Sequence, residues 1–303
     1  MNLEAISILV GSNGDTIGAK LYNGDIVREV STESLMEKSG DTKLRNAIID
    51  KNGFVRAKKG NLQKEFIRTA YNTIEYKDIL AVKKLLSMKT ISVYHGNKDG
   101  SLMPAYNYGK SNNDYGIGFY TTPDKELAKE WAWSMYGHGD IGYVHTFSIS
   151  VQGLNILDLT RRNSLHWIAE LLYNRRINVD PTENTPVSRN IKRFISKYKL
   201  NTSIYDIIIG YRADDSYFRY AEAFAYGNLY KETLERVLRL GELGIQVCFK
   251  SNRAFQKLQK VNVESVPIKY KTRYKDRDDR ARAAYYDEIK KSVKKEQVIT
   301  DFI

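Results

Sequence analysis

The 303 residues contain a single cysteine, Cys248, so an intramolecular disulfide and a cysteine-built zinc site are both excluded. The four histidines, His95, His138, His145 and His166, show no HxxxH or HExxH spacing, which argues against a histidine-built zinc site. There is no GxSxG elbow and no glycine-rich loop followed by Lys-Ser or Lys-Thr, so neither a serine hydrolase nor a P-loop nucleotide enzyme is indicated. No stretch approaches the roughly 20 apolar residues of a membrane span. The first residues, MNLEAISILVGSNGD, carry an acid where a secretory signal needs a basic residue, and their apolar run is too short. The expectation is a soluble, cytoplasmic protein with no metal and no membrane partner, in a reducing compartment.

Hydrophobic residues make up 42% of the chain, which is a globular composition able to build a core. The formal net charge of +12 points to a phosphate-rich partner or substrate, and is equally met by a generally basic surface. Tyrosine is abundant, at 22 residues. Its ring stacks on bases and sugars and also fills half-buried positions, so the count alone does not choose between these uses.

Residues 1–70 alternate short apolar runs with Asn-Gly and Asp-Gly turns, the pattern of antiparallel hairpins, and read as a small β-rich or α+β module. STESLMEKS and KLRNAIID between them read as short helices. Residues 71–88 read as a linker helix, with Ile74, Ile79, Leu80, Val82, Leu85 and Leu86 on one broad face. In the region 89–260, TISVYHG, GIGFYTT, YVHTFSISV, NILDL, IYDIIIG and GIQVCF read as strands. Thr122-Pro123-Asp124 opens a helix, with Thr122 as cap and Pro123 at the first helical position. Strands and helices do not alternate regularly, so the expected class is α+β, with a split antiparallel arrangement and flanking helices. Residues 261–303 form a basic tail: Lys269 to Lys295 holds 11 Lys or Arg against 5 Asp or Glu. RAAYYDEIKKSVKKE within it has helical character without a clear apolar face, as in a solvated helix or a segment ordered by a partner.

Chemistry-bearing residues gather on three of these strands. Tyr94-His95-Gly96 ends the first, Gly116-Ile117-Gly118-Phe119-Tyr120 lies on the second, and Gln246 lies on the last, beside Cys248, which reads as a small buried residue. His95 before a turn can donate and accept hydrogen bonds, Tyr120 can offer its ring to a planar ligand, and a buried Gln246 must find partners. Taken singly, each is also explained as an interior residue.

In order, YHG, then GxGFYTT with an AKxWA helix, then YDIIIG with ADD, then QVCF, resemble a family of bacterial proteins related to the ADP-ribosyltransferases. The nearest branch is the His-Tyr-Glu one that includes diphtheria toxin and the poly(ADP-ribose) polymerases. The resemblance covers residues 89–260 and implies an ADP-ribosyltransferase-like split antiparallel β-sandwich as catalytic domain. It implies NAD as substrate and an NAD-dependent mono-ADP-ribosyltransferase acting as a toxin or antiphage effector, with an antitoxin as partner. His95 would bind the carboxamide side or the adenosine ribose of NAD, with Tyr94 and Gly96 shaping the strand end. Tyr120 would stack on the nicotinamide ring, Trp131 would be the second aromatic wall, and Gly118, Phe119 and Thr121 would line the site. The chain departs from the branch at its catalytic glutamate, where it has Gln246. Glutamine keeps a hydrogen bond to the ribose and loses the charge that stabilises the oxocarbenium-like centre. Asp214, Asp215 or Glu222 are candidates to supply that charge. The acceptor is expected to be RNA or DNA rather than protein, on the basic charge. The competing readings are a degenerate nucleotide-binding module and a basic nucleic-acid-binding interaction protein.

Overall fold

The apolar runs at the start of the chain pair as strands: β1 (Glu4–Val10), β2 (Thr16–Tyr22), β3 (Ile48–Ile49) and β4 (Val55–Arg56). They form an antiparallel sheet in the order β2-β1-β4-β3, and β1 with β2 is the hairpin that the Asn-Gly turn suggests. Ile48 and Ile49, expected at the end of a short helix in KLRNAIID, instead pair with Val55 and Arg56, as suits two adjacent β-branched residues. The computed structural model describes residues 4–10, 16–22, 48–49, 55–56, 81–82, 84–134, 141–162, 164–175, 184–213, 215–238, 243–290 and 298–303. The helix expected in STESLMEKS and most of the linker helix at 71–88 lie outside these residues. Residues 81, 82 and 84–86 are helical. The chain divides into two units, Met1–Lys83 with Thr160–Asn163, and Lys84–Leu159 with Ser164–Ile303.

The second unit is α+β, with two mostly antiparallel sheets and seven helices among the described residues. One sheet has the order β11-β7-β5, from β5 (Thr90–Asn97), β7 (Gly142–Ser150) and β11 (Leu258–Val266). The other has the order β6-β10-β9-β8, from β6 (Phe119–Thr121), β8 (Ile156–Asp158), β9 (Ile207–Tyr211) and β10 (Ile245–Phe249). All pairs are antiparallel except β8 with β9. The expectation of purely antiparallel sheets is corrected there, because the connection between β8 and β9 carries two helices and is long enough for a parallel crossover. These helices are α2 (Ser164–Asn174) and α3 (Pro186–Tyr198), α1 being the helix Lys125–Ser134.

The sheets join through a bridge, where Tyr94 N donates to Thr122 O (2.8 Å) and Thr122 N donates to Tyr94 O (2.9 Å). Between them Phe119 meets Phe147 edge to face, with ring centroids 5.2 Å apart, and lies 6.3 Å from Phe249. The far face of the β9–β10 sheet is covered by α2, α3 and α4 (Asp215–Ala225), whose Trp167, Phe194 and Phe224 share a buried cluster with Ile208 and Cys248. Covered on both faces, β9 and β10 are buried at every position, which explains why IIIGY and IQVCF are runs without alternation. The shorter helices α5 (Lys231–Val237) and α6 (Asn252–Gln256) flank β10 in sequence.

Helix α1 starts two residues later than its Thr-Pro-Asp opening suggests. Asp124 is the cap, its Oδ1 accepting from Glu126 N (2.8 Å) and Leu127 N (3.2 Å), while Thr122 Oγ1 accepts from Asp124 N (3.2 Å). Thr122 is held in the bridge to Tyr94, so the carboxylate two residues on takes the capping role. The basic segment after β11 forms α7 (Lys269–Lys290), ordered by its own chain. Arg277 grips Glu130 of α1 through two bonds (2.8 and 2.9 Å), and Tyr270 is buried with Ala128, Ala132 and Trp133. No helix among the described residues is long and apolar enough to cross a membrane.

Candidate functional site

The topology places β5, β6 and β10 side by side: β5 meets β6 at the Tyr94–Thr122 bridge, and β6 pairs with β10. These are the strands that carry His95, Tyr120 and Gln246. His95 Nδ1 lies 2.6 Å from Tyr120 O. A carbonyl only accepts, so Nδ1 carries the proton and Nε2 is left as an acceptor, with Asn97 Nδ2 at 3.4 Å. Burial against Phe119 (4.8 Å between ring centroids) lowers the His95 pKa to about 4, opposed by the bond to Tyr120 and helped by His145, whose ring is 6.5 Å away. The imidazole is therefore neutral at pH 7.

Tyr120 is half-buried and its hydroxyl is fully engaged, donating to Gly116 O (2.6 Å) and accepting from Tyr115 N (2.9 Å). Burial raises the phenol well above its ordinary pKa, with Cys248 and Asp114 adding to the effect. Its ring runs nearly parallel to that of Tyr115, at 12° and 6.3 Å. The loop before β6 is pinned by the residue that follows β10: Lys250 Nζ donates to Tyr115 O and to Ile117 O, each at 2.6 Å. Gly116 turns this loop with φ of +73°, a conformation that favours glycine. A side chain at Gly118 would press on Cys248 Sγ and Phe249 O, so this glycine lets β6 close onto β10.

Gln246 is buried, and its Nε2 donates to Asp114 Oδ2 at 2.6 Å. Asp114, also buried, accepts on Oδ1 from Arg175 Nε (2.6 Å) and Nη2 (2.5 Å), and on Oδ2 from Ala213 N (2.9 Å). Arg175 Nη2 further donates to Ala213 O. No such partner for Gln246 is visible in the sequence, because Asp114 lies 132 positions away; its only local signal is an acid placed directly before the Tyr-Gly turn.

The remaining expected site residues divide between two surroundings. Thr121 is buried and donates through Oγ1 to Val247 O (3.0 Å), and Phe119 belongs to the inter-sheet core. Tyr94 packs on the cluster of Ala128, Ala132 and Trp133, and Gly96 lies against the backbone of Ala128 and Ala132 of α1, so both face the opposite side of β5 from His95. Trp131 is buried on α1 with the Arg212 guanidinium 4.6 Å over its ring. Asp214 lies outside the described residues, Asp215 opens α4, and Glu222 is half-buried on the same helix. Among the described residues no three His, Cys, Asp or Glu side chains gather as a metal site. The Cys248 thiol is buried and pushed up to about 12, as an interior position requires.

Residues 91–260 match the model of a family described as Protein of unknown function (DUF3990), and the chain belongs to that family. No curated protein and no solved structure matches it.

Proposed function

We propose that the chain is an NAD-dependent mono-ADP-ribosyltransferase, a toxin or antiphage effector whose acceptor is a macromolecule, with nucleic acid favoured over protein. The observation that carries this reading is the lateral order of β5, β6 and β10, with His95 bonded to the Tyr120 backbone and Gln246 on the neighbouring strand. Each residue has a matching chemical role. The neutral His95 offers Nε2 as an acceptor for a hydroxyl or amide of NAD. Tyr120, its hydroxyl tied down, offers a ring held in place. Gln246 is the hydrogen-bonding group for the nicotinamide ribose. In the reaction the bond between C1′ of that ribose and the nicotinamide nitrogen breaks, the electron pair leaving with nicotinamide. The acceptor's nucleophile then bonds to C1′ and loses a proton. Gln246 brings no charge to this step, and the carboxylate nearest to it is Asp114, already paired with Arg175.

That pairing favours a second reading, a module that binds NAD or a related nucleotide without turning it over, because Gln246 is built into a buried polar network. One experiment separates the two. The full chain is incubated with adenylate-labelled NAD alone, with RNA, with DNA and with cell lysate, and both nicotinamide release and transferred label are measured. Label on RNA, DNA or protein supports the transferase. NAD binding without nicotinamide release supports the binding module, and no binding of NAD removes both.

A further inference from the structure

Four donors converge on the buried Asp114 carboxylate: Arg175 Nε and Nη2 on Oδ1, and Ala213 N and Gln246 Nε2 on Oδ2. A carboxylate paired to a guanidinium is an acceptor only, so just one end of the Gln246 amide can face it. The NH2 end is spent on Asp114, and Oε1 is turned away, with no donor to it among the described residues. On β10, Gln246 and Cys248 share a face, and Tyr120 stands opposite Cys248 across the strand pair, so Gln246 and Tyr120 belong to the same side of the sheet.

We propose that Asp114, locked by Arg175, is a positioning residue that fixes the Gln246 amide with Oε1 as the ligand-facing acceptor, so that the site reads a hydroxyl donor of a ribose at this point. The ribose rests on the NAD reading above, whereas the amide orientation does not. The arrangement also accounts for glutamine at a position where the His-Tyr-Glu branch that the sequence resembles carries glutamate. A carboxylate at 246 would meet Asp114 at hydrogen-bond distance, and two like charges in a buried site repel strongly. The pair can be inverted, however: an amide at 114 could donate to a carboxylate at 246.

The test uses the full chain with Asp114→Asn, Gln246→Glu and the double variant, and NAD as probe. Two readouts are taken: kcat and KM for nicotinamide release, and the side-chain amide resonance of Gln246, assigned by its loss in Gln246→Glu. Misorienting one hydrogen-bonding group should lower kcat by about tenfold or more in each single variant, with KM within about threefold. The double variant should recover at least about tenfold over the weaker single, a coupling that a merely structural role would not give. The wild-type amide resonance should be slow to exchange with solvent and should lose that protection in Asp114→Asn. Wild-type kcat in Asp114→Asn, or a double variant no better than the singles, overturns the positioning role. If wild type releases no nicotinamide, the transferase reading falls and the resonance alone decides: a fast-exchanging amide, indifferent to Asp114→Asn, overturns the orientation. Where Asp114→Asn does not fold, exchange of the wild-type amide decides in the same way: slow exchange supports the orientation and fast exchange overturns it.

Discussion

His95 and Tyr120 are linked ring to backbone: the imidazole Nδ1 donates to the Tyr120 carbonyl across 2.6 Å, while the Tyr120 hydroxyl is engaged by Gly116 and Tyr115. The two side chains are thus held by different parts of the chain, and each can be tested apart from the other.

For His95 the test is pH. Its pKa falls from 6.5 in an unfolded chain to about 4 in the fold. Between these values the unfolded state binds more protons, so stability rises with pH across this window and is fully present above pH 6.5. As pH falls from 6.5 to 4, the loss approaches at most about 3 kcal/mol, because each pKa unit corresponds to about 1.4 kcal/mol. His145 is also lowered by burial and contributes with the same sign. Urea unfolding from pH 4 to 7 should show a shallower rise with pH in His95→Gln than in wild type. Equal slopes would mean that the ring is solvated in the folded state.

Tyr120 separates ring from hydroxyl. Tyr120→Phe removes the bonds to Gly116 and Tyr115 and should cost about 1–2 kcal/mol of stability, with NAD affinity little changed. Tyr120→Ala removes the ring and should weaken NAD binding by about 1–3 kcal/mol, the range for stacking of an aromatic side chain on a base. Calorimetric titration of both variants checks this. Equal affinity in Tyr120→Ala, with the fold intact, would take Tyr120 out of the site.

Helix α7 is fixed to α1 by a buried acid. Glu130 is 2% exposed, held by the Arg277 fork, with Arg273 Nε 3.7 Å away. Arg277→Ala leaves that carboxylate largely uncompensated and should cost about 3 kcal/mol or more. Arg282, whose pair with Asp278 is more exposed, should cost under about 1 kcal/mol when truncated. Thermal unfolding of the two variants should differ by many degrees. Similar melting temperatures would show that the α1–α7 contact does not depend on Glu130.

Much of this architecture is legible in the sequence, and the limits follow from range. The runs in IYDIIIG and Gly-Ile-Gln-Val-Cys-Phe declare buried strands, as a strand covered on both faces is apolar without alternation, although β9 begins only at Ile207 and the exposed Ile204 closes a short 3-10 turn before it. That the strands of His95, Tyr120 and Gln246 lie side by side is seen in the structure; no local pattern in the sequence states it. Nor does one state the interactions that fix their side chains. Asp114 and Gln246 are 132 positions apart, and nothing in either local pattern names the other. The same holds for α7, whose amphipathicity is weak because charge on Glu130 and Glu126 replaces apolar area. Asp124 supplants Thr122 as cap for a related reason, since the strand bridge at Tyr94 claims Thr122 first.

The acceptor turns on what remains of the basic charge once ion pairs are counted. On α7, Arg273, Arg277, Arg282 and Lys290 face carboxylates within the chain, while Lys271, Lys275 and Arg280 are exposed. Deleting residues 269–303 would therefore strip the support of Glu130 as well as the charge, and would confuse folding with binding. Substituting Lys271, Lys275 and Arg280 by Gln spares that contact. Each phosphate contact contributes about 0.7 to the slope of log affinity against log salt for a single strand, and about 0.9 for a duplex. If all three touch phosphate, the triple variant should lower the slope by roughly two to three, and label transfer to RNA or DNA should fall in parallel while NAD affinity holds. An unchanged slope and unchanged labelling would remove this face of α7 from the acceptor site. Label that appears on protein bands in lysate, with none on RNA or DNA, would replace a nucleic-acid acceptor by a protein one.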